Sequence, residues 1–167
     1  MFSNLSPPTP ILVSHELDNF DCGEPSLNDW LKKRALKNQA SGASRCFVLC
    51  NGNTVIGYYT LSAGAISHAD APNTMRRNMP DPLPVLLLGR LAIDRKYHNK
   101  GLGSALLRDA MIRAVSVAGD AGVFAILLHA LSGPAKQFYL SRGFVESPLQ
   151  PMTLMMTLET VRLILTE

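Results

Sequence analysis

Two glycines with one residue between them, Gly101 and Gly103, stand in the stretch "HNKGLG", between an apolar run and a helix-like one. Upstream, "VLLLGRLAI" (residues 85–93) is too short for a long helix and rich in branched residues, so a buried strand is expected there. Downstream, Ala105, Leu106, Ala110, Ile112 and Val117 recur at roughly helical spacing through about Ala118. A strand, a tight glycine turn and a helix start gather main-chain N–H groups at the positive end of a helix, which is chemistry for holding an anion. The donors would be the amides of Asn99, Lys100, Gly101, Leu102, Gly103 and Ser104. Gly101 lets a phosphate approach the backbone, and Gly103 lets the helix start close to the strand. A dinucleotide fingerprint would follow the first strand, with an acidic residue about 20 positions on, and a triphosphate loop would need G-K-[ST]. Neither pattern fits. What is left is a pyrophosphate cradle without a magnesium ligand, or a plain strand–helix turn.

A second group of residues suits a polyanion. Between Asp29 and Asp70 there is no acidic residue, while Lys32, Lys33, Arg34, Lys37 and Arg45 fall there. On a helix, Lys33, Arg34 and Lys37 share one side through i,i+3 and i,i+4 spacing. Cations on one face without partners are what phosphate-backbone binding requires, although a solvated helix face looks the same. Arg90 sits inside "LLLGRLAI", where an unpaired charge is expensive to bury. It is therefore expected to point to a polar cleft or an anionic partner. Arg76 and Arg77, in a Pro-flanked loop, could extend the same surface.

These residues need elements to position them. A chain of 167 residues can bury a real core, and one domain over residues 1–167 is expected. The net charge of +3 is mildly basic and decides nothing alone. Cys22, Cys46 and Cys50 lack metal-ligand spacing, so reduced thiols and no metal are expected. The opening "MFSNLSPPTP" has no secretory pattern, and no apolar run reaches the roughly 20 residues of a membrane span. A soluble cytoplasmic protein without membrane contact is expected. "ILVSHE" suggests a short strand, and "PSLNDWLKKRALKNQA" one helix, with Ser26 and Asp29 as an S-x-x-D cap. "SRCFVLCNG" and "TVIGYYTLSAGAIS" suggest two strands joined at Asn51-Gly52. Residues 68–84 form a long irregular loop with room for a short helix. "GVFAILLHAL" suggests another buried strand, "SGPAKQFYLSRGF" a short helix opened by Ser132 and ended by Gly143, and "MTLMMTLETVRLIL" one or two closing strands. The class is α/β or α+β, with helices around a mixed sheet.

"HNKGLG" resembles the coenzyme A signature Q/R-x-x-G-x-G/A of the GNAT N-acetyltransferases, matching it at both glycines. His98 departs from it, standing where Arg or Gln is usual. "PAKQFYLSRGF" resembles the family's second signature, A-x-x-F-Y-x-x-x-G-F, which carries a tyrosine near the thioester sulfur. The resemblance implies the GNAT acyl-CoA N-acyltransferase fold, a central, mostly antiparallel sheet flanked by helices, with acetyl-CoA as co-substrate. It also implies that N–H groups of Leu91, Ala92 and Ile93 polarise the thioester carbonyl. Cofactor contacts would come from His98, residues 99–104 and Ser132. Tyr139, with an ordinary pKa of about 10, is a proton donor at neutral pH and can protonate the departing sulfur. His15 and His129 are not convincing bases, because His129 lies in a strongly apolar strand and is expected to be buried structurally.

Without a clear base, the acceptor amine must be easily deprotonated. A lysine amine, at about 10.4, is charged at neutral pH, whereas an α-amine sits at about 7.7–8.0. An ester on the same amino acid lowers it further. "FDCGEPSLNDWLKKRALKNQASGASRCFVL", "LGRLAID" and "AKQFYLSRGF" together resemble the acetyltransferase toxins of bacterial toxin–antitoxin modules, the TacT-like group, over nearly the whole chain. That resemblance implies acetylation of the α-amine of aminoacyl-tRNA, which stops translation. It further implies a cognate ribbon–helix–helix antitoxin, repression of operator DNA through that antitoxin, and often a homodimer. The tRNA would meet Lys33, Arg34, Lys37, Arg45, Arg76, Arg77 and Arg90. Two other readings stay open: an acetyltransferase of a small amine or protein N-terminus, and a non-catalytic coenzyme A-binding regulatory subunit.

Overall fold

The computed structural model describes residues 5–167. Residues 1–4, the start of the segment read as lacking a secretory pattern, lie outside them. The chain forms two compact units, one from the residues up to Ser62 with Gly89–Ala110, the other from Ala63–Leu88 with Met111–Glu167. Among the described residues, no helix is long and apolar enough to cross a membrane.

The first unit begins with strand β1 (Thr9–Pro10), followed by helices α1 (Pro25–Lys33) and α2 (Ala35–Ser41) and strand β2 (Arg45–Asn51). It also holds most of β3 (Thr54–Ile66), the C-terminal end of β4 (Leu83–Ile93) and the start of α4 (Leu102–Asp120). Its strand order is β1-β2-β3-β4, with β1–β2 and β2–β3 antiparallel. The turn at Asn51-Gly52 is as expected, with Gly52 at φ +63°. Alternation sorts the side chains of paired residues onto two faces. Val48 and its partner Tyr58 join Ile11, Phe20, Leu31 and Ala35 in one core. Phe47 and its partner Tyr59 stack on the opposite face, centroids 5.2 Å apart.

Three expectations fail in this unit. "ILVSHE" is not a strand: Ile11 still donates to the Cys46 carbonyl (2.9 Å), but His15 then closes a turn. Its Nδ1 accepts from the Leu12 amide at 2.9 Å, a local side-chain bond that competes with strand pairing. The expected single helix is two, because Arg34 takes φ −121°, ψ −29°. Hydrogen bonding continues across it, Arg34 donating to Trp30 and accepting from Asn38, so the axis bends rather than breaks. The bend falls between the exposed cations and the fully buried Ala35. Finally, Ser26 does not cap α1. The cap lies two residues earlier, with Glu24 at the N-cap making no side-chain bond and Pro25 in the first turn.

The second unit contains helix α3 (Asn73–Arg76), the start of β4, strand β5 (Ala125–His129) and helix α5 (Gly133–Ser141). Strands β6 (Val145–Glu146) and β7 (Thr153–Thr157) and helix α6 (Leu158–Leu165) complete it. The order is β4-β5-β7-β6, with β4 and β5 parallel and the other pairs antiparallel, so the sheet is mixed. Ile66, Leu83, Val85, Ala125, Leu127 and Met155 form its core. The loop of residues 68–84 does carry a short helix, α3. The closing run is a strand and then a helix: the Thr157 hydroxyl accepts from the Thr160 amide at 3.2 Å, and Leu158 and Val161 are buried one turn apart. Helix α4 runs as expected, but on a different face. Leu106, Leu107, Ala110, Met111 and Ala114 are buried, while Ile112 and Val117 are exposed.

Candidate active site

In the first unit, β4 leads into the glycine turn through Asp94, whose carboxylate accepts from the amides of Lys96 (3.0 Å) and Asp21 (3.1 Å). Those bonds set a short turn over Arg95–Tyr97. Two left-handed residues follow, Asn99 at φ +60° and Gly101 at φ +78°, and α4 starts at Leu102. The Ala105 amide bonds back to the Gly101 carbonyl at 3.1 Å. The amides of Leu102 and Gly103 come before that bond, in the first turn, whose N–H groups have no carbonyl partner within the helix. Nothing lies within 4 Å of where a Gly101 Cβ would stand, so the space beside the turn at that position is open.

His98 does something the spacing could not reveal. Its Nε2 lies 2.6 Å from the Ile93 carbonyl oxygen. A carbonyl can only accept, so Nε2 carries the hydrogen and Nδ1 is the nitrogen left over. Two glycines overlooked in the sequence matter beside Leu91, Ala92 and Ile93. A Cβ on Gly57 would stand 2.7 Å from Ile93 Cδ1 and 3.3 Å from the Ala92 carbonyl. A Cβ on Gly89 would stand 2.8 Å from Thr60 Oγ1. Both let β4 and β3 approach closely, and Gly57 was visible only as an isolated glycine within a strand pattern. Tyr59 and Asp109 hydrogen-bond, tying α4 to β3 seven residues after the helix start.

Among the described residues, Arg90 meets no carboxylate. Its guanidinium carbon lies 4.2 Å from the centroid of the Trp30 ring, and burial lowers its pKa from the usual arginine value. The other expected cations of this unit stand on the surface. Lys33 and Asp29 approach to 3.9 Å with both side chains largely exposed, a pair of small worth. Arg34 and Lys37 are exposed, but Lys33 ends α1, Arg34 is the bend and Lys37 lies in α2, so the three cations expected on one helix are spread over two. Arg45 donates to the Gln39 carbonyl at 2.9 Å, near the C-terminal end of α2, where a cation suits the helix dipole.

The second unit holds Ser132, Tyr139, Arg76 and Arg77. Ser132 caps α5 as expected, its hydroxyl accepting from the Ala135 amide at 3.2 Å. Arg76 is turned inward on its own loop, bonding the His68 carbonyl at 3.0 Å and the Asn73 side chain. Arg77 is exposed. His129, expected to be buried, is exposed where β5 ends, and its Nδ1 lies 2.8 Å from Thr153 Oγ1.

Tyr139 differs from the other three tyrosines. Tyr58 donates to the Leu27 carbonyl at 2.6 Å, Tyr59 bonds Asp109, and Tyr97 accepts from Asn51 at 2.7 Å. The Tyr139 ring meets Phe138 and Phe144 edge-on, at 5.1 and 5.6 Å, and is only 8% exposed. Its hydroxyl has no hydrogen-bond partner among the described residues. No buried side-chain oxygen or nitrogen among those residues lacks a partner, so this hydroxyl reaches the surface. Burial of the ring pushes its pKa up to about 12. It is a protonated, unengaged donor.

Cys46 and Cys50 are buried, Cys22 is partly so, and all three are free thiols. Burial pushes Cys46 up to about 12, which makes it a poor nucleophile. Among the described residues, no group of three or more His, Cys, Asp or Glu could hold a metal ion.

Residues 42–146 match the family model described as an acetyltransferase (GNAT) domain. The sequence is similar to that of the tRNA-acetylating toxin of Mycobacterium tuberculosis, with 50% identity over 160 residues covering 96% of each chain. The fold is similar to that of AtaT complexed with acetyl-methionyl-tRNAfMet, with a TM-score of 0.89 and 28% identity over 96% of this chain and 99% of that one. It is also similar to a tyrosine-to-phenylalanine mutant of AtaT bound to the C-terminus of the antitoxin AtaR and to acetyl-CoA. That match has a TM-score of 0.86 and 27% identity over 99% of this chain and 100% of the other.

Proposed function

This chain belongs to the GNAT acetyltransferase family, and from that premise we propose that it is the toxin of a toxin–antitoxin pair, moving the acetyl group of acetyl-CoA to the α-amine of aminoacyl-tRNA. The observation that carries the chemistry is the Tyr139 hydroxyl, protonated, at the surface and without a partner. Acetyl transfer from a thioester needs a polarised carbonyl, a neutral amine and a donor for the sulfur that leaves. Amides of Leu91, Ala92 and Ile93 serve the carbonyl, and Tyr139 serves the sulfur. The left-handed turn at Asn99 and Gly101, with the first amides of α4, holds the pyrophosphate. His98 supports that turn by tying it to Ile93, with only Nδ1 free to face the cofactor. Acetylation removes the nucleophilic lone pair that peptide-bond formation uses, so a charged tRNA becomes a dead end.

The partners follow from the same reading. A ribbon–helix–helix antitoxin binds this chain, represses operator DNA together with it, and the toxin itself pairs as a homodimer. The place of action is the cytoplasm, where charged tRNA is used. The deciding experiment is transfer of labelled acetyl from acetyl-CoA to charged tRNA, with a free amino-acid ester as control. A wild type that prefers the small ester would make the chain an ordinary small-amine acetyltransferase.

The exposed cations give a prediction of their own. Replacing Lys33, Arg34 and Lys37 with alanine should weaken tRNA binding and flatten its salt dependence, by about 0.7–0.9 in the log–log slope for each phosphate deprived of its cation. Arg34 and Lys37 should account for most of the change, because Asp29 already neutralises part of Lys33. Acetyl-CoA affinity should not move. A triple variant that loses activity equally on tRNA and on the ester would show that these helices are structural.

A further inference from the structure

Arg90 is a half-buried cation with no internal counter-charge. Among the described residues its guanidinium makes no ion pair and no hydrogen bond, and the groups nearest in charge, Tyr58 and Cys46, are both held neutral by burial. Taking a cation out of water without a partner is unfavourable. Trp30 offsets part of that cost. Its indole, 9% exposed, lies under the guanidinium at 4.2 Å and stacks in turn on Tyr58, centroids 5.9 Å apart and planes 8° from parallel. Tyr58 is fully buried, anchored to the Leu27 carbonyl and met edge-on by Phe20 at 5.6 Å. Three flat groups therefore sit in tiers, the lowest fixed in the core and the uppermost a cation with all its N–H donors unspent. Arginine tolerates this better than lysine, being planar and weakly hydrated.

We propose that Trp30 is a positioning residue, whose indole holds the Arg90 guanidinium in one orientation as a phosphate-binding group for the 3′-terminal segment of aminoacyl-tRNA. The inference rests on the reading above that charged tRNA is the acceptor. A guanidinium held over the indole still presents its donors as a fork, which matches two phosphate oxygens at once. The source of the phosphate follows from the place of Arg90 in the strand. It immediately precedes Leu91, Ala92 and Ile93, the amides assigned to the thioester carbonyl. Acetyl-CoA carries its phosphates at the far end of a long arm from its thioester. A tRNA carries one only a nucleoside away from the reacting amine. The phosphate that meets Arg90 therefore belongs to the acceptor.

The test compares Arg90→Ala, Arg90→Lys, Trp30→Leu, Trp30→Phe and the double variant Trp30→Leu/Arg90→Ala. For each, kcat and KM are measured on charged tRNA and on the free amino-acid ester, with acetyl-CoA affinity by calorimetry and folding by circular dichroism. On tRNA, Arg90→Ala and Trp30→Leu should each lower kcat/KM about tenfold or more, the scale of a stacked, charge-assisted contact. The double variant should be no worse than Arg90→Ala, because both changes remove one device. Trp30→Phe should keep most of the activity, and the ester reaction and acetyl-CoA affinity should stay within about twofold, as expected of a contact those ligands do not make. Arg90→Lys keeps the charge and loses the fork, so it should resemble Arg90→Ala and decides the matter if Trp30→Leu does not fold. The proposal is overturned if folded Trp30→Leu matches wild type on tRNA, or if the losses multiply in the double variant. Equal losses on tRNA and ester overturn it too, as does an Arg90→Lys enzyme as active as wild type. Weakened acetyl-CoA affinity would assign the phosphate to the cofactor and overturn it as well. A wild type that leaves charged tRNA unmodified sinks the underlying reading instead, and the wild-type control alone reveals that.

Discussion

Tyr139→Phe should fold and bind acetyl-CoA like the wild type and lose about 10²–10³-fold in turnover, the usual effect of removing one donor from a developing charge. Folding should be spared because the ring supplies the packing, against Phe138 and Phe144, and its hydroxyl bonds nothing among the described residues. Burial pushes its pKa up to about 12, so the hydroxyl stays protonated throughout the neutral range and can donate to sulfur as negative charge gathers there. Single-turnover acetylation of charged tRNA measures the step directly. A variant as fast as wild type would mean that water or another group serves the sulfur.

Gly101→Glu should abolish measurable acetyl-CoA binding, a loss of at least about 100-fold, since like charges brought together cost several kcal/mol. At φ +78° a side chain carries the strain of the left-handed region, about 1–2 kcal/mol, yet nothing within 4 Å would obstruct its Cβ. The fold should therefore survive while a carboxylate enters the space where the pyrophosphate belongs. Gly101→Ala separates the two effects. It carries the strain without the charge and should weaken binding far less. Calorimetry on both variants is the measurement, and unchanged affinity in folded Gly101→Glu would place the cofactor's phosphates elsewhere.

What could be read in advance was local. The turn at Gly101, the cap at Ser132 and the hairpin at Gly52 each depend on a few neighbouring residues whose types restrict the backbone. The aromatic spacing that carries Tyr139 is local too. The bend at Arg34 was hidden because the apolar rhythm of Trp30, Leu31 and Ala35 continues through it. Helix α6 was hidden for a related reason: no glycine or proline separates it from β7, and the Thr157 cap is its sole punctuation. The buried face of α4 was hidden because Ile112 and Val117 obey a helical period without being buried. The stack of Arg90 on Trp30 joins residues far apart in the chain, so an isolated charge in a strand could announce a partner and not name it. His98 shows the same limit at short range. Its place in the signature is plain, and its bond to Ile93 is a matter of side-chain direction.

Trp30 is the only tryptophan of the chain, and it sits directly beneath Arg90. The protein thus contains its own optical probe, placed under the group that would receive the acceptor. Its emission, excited at the red edge to spare the tyrosines, should shift when charged tRNA engages the guanidinium and stay still when acetyl-CoA alone is added. Titration by intrinsic fluorescence would then follow the two ligands separately in unlabelled protein, with no dye to perturb the surface.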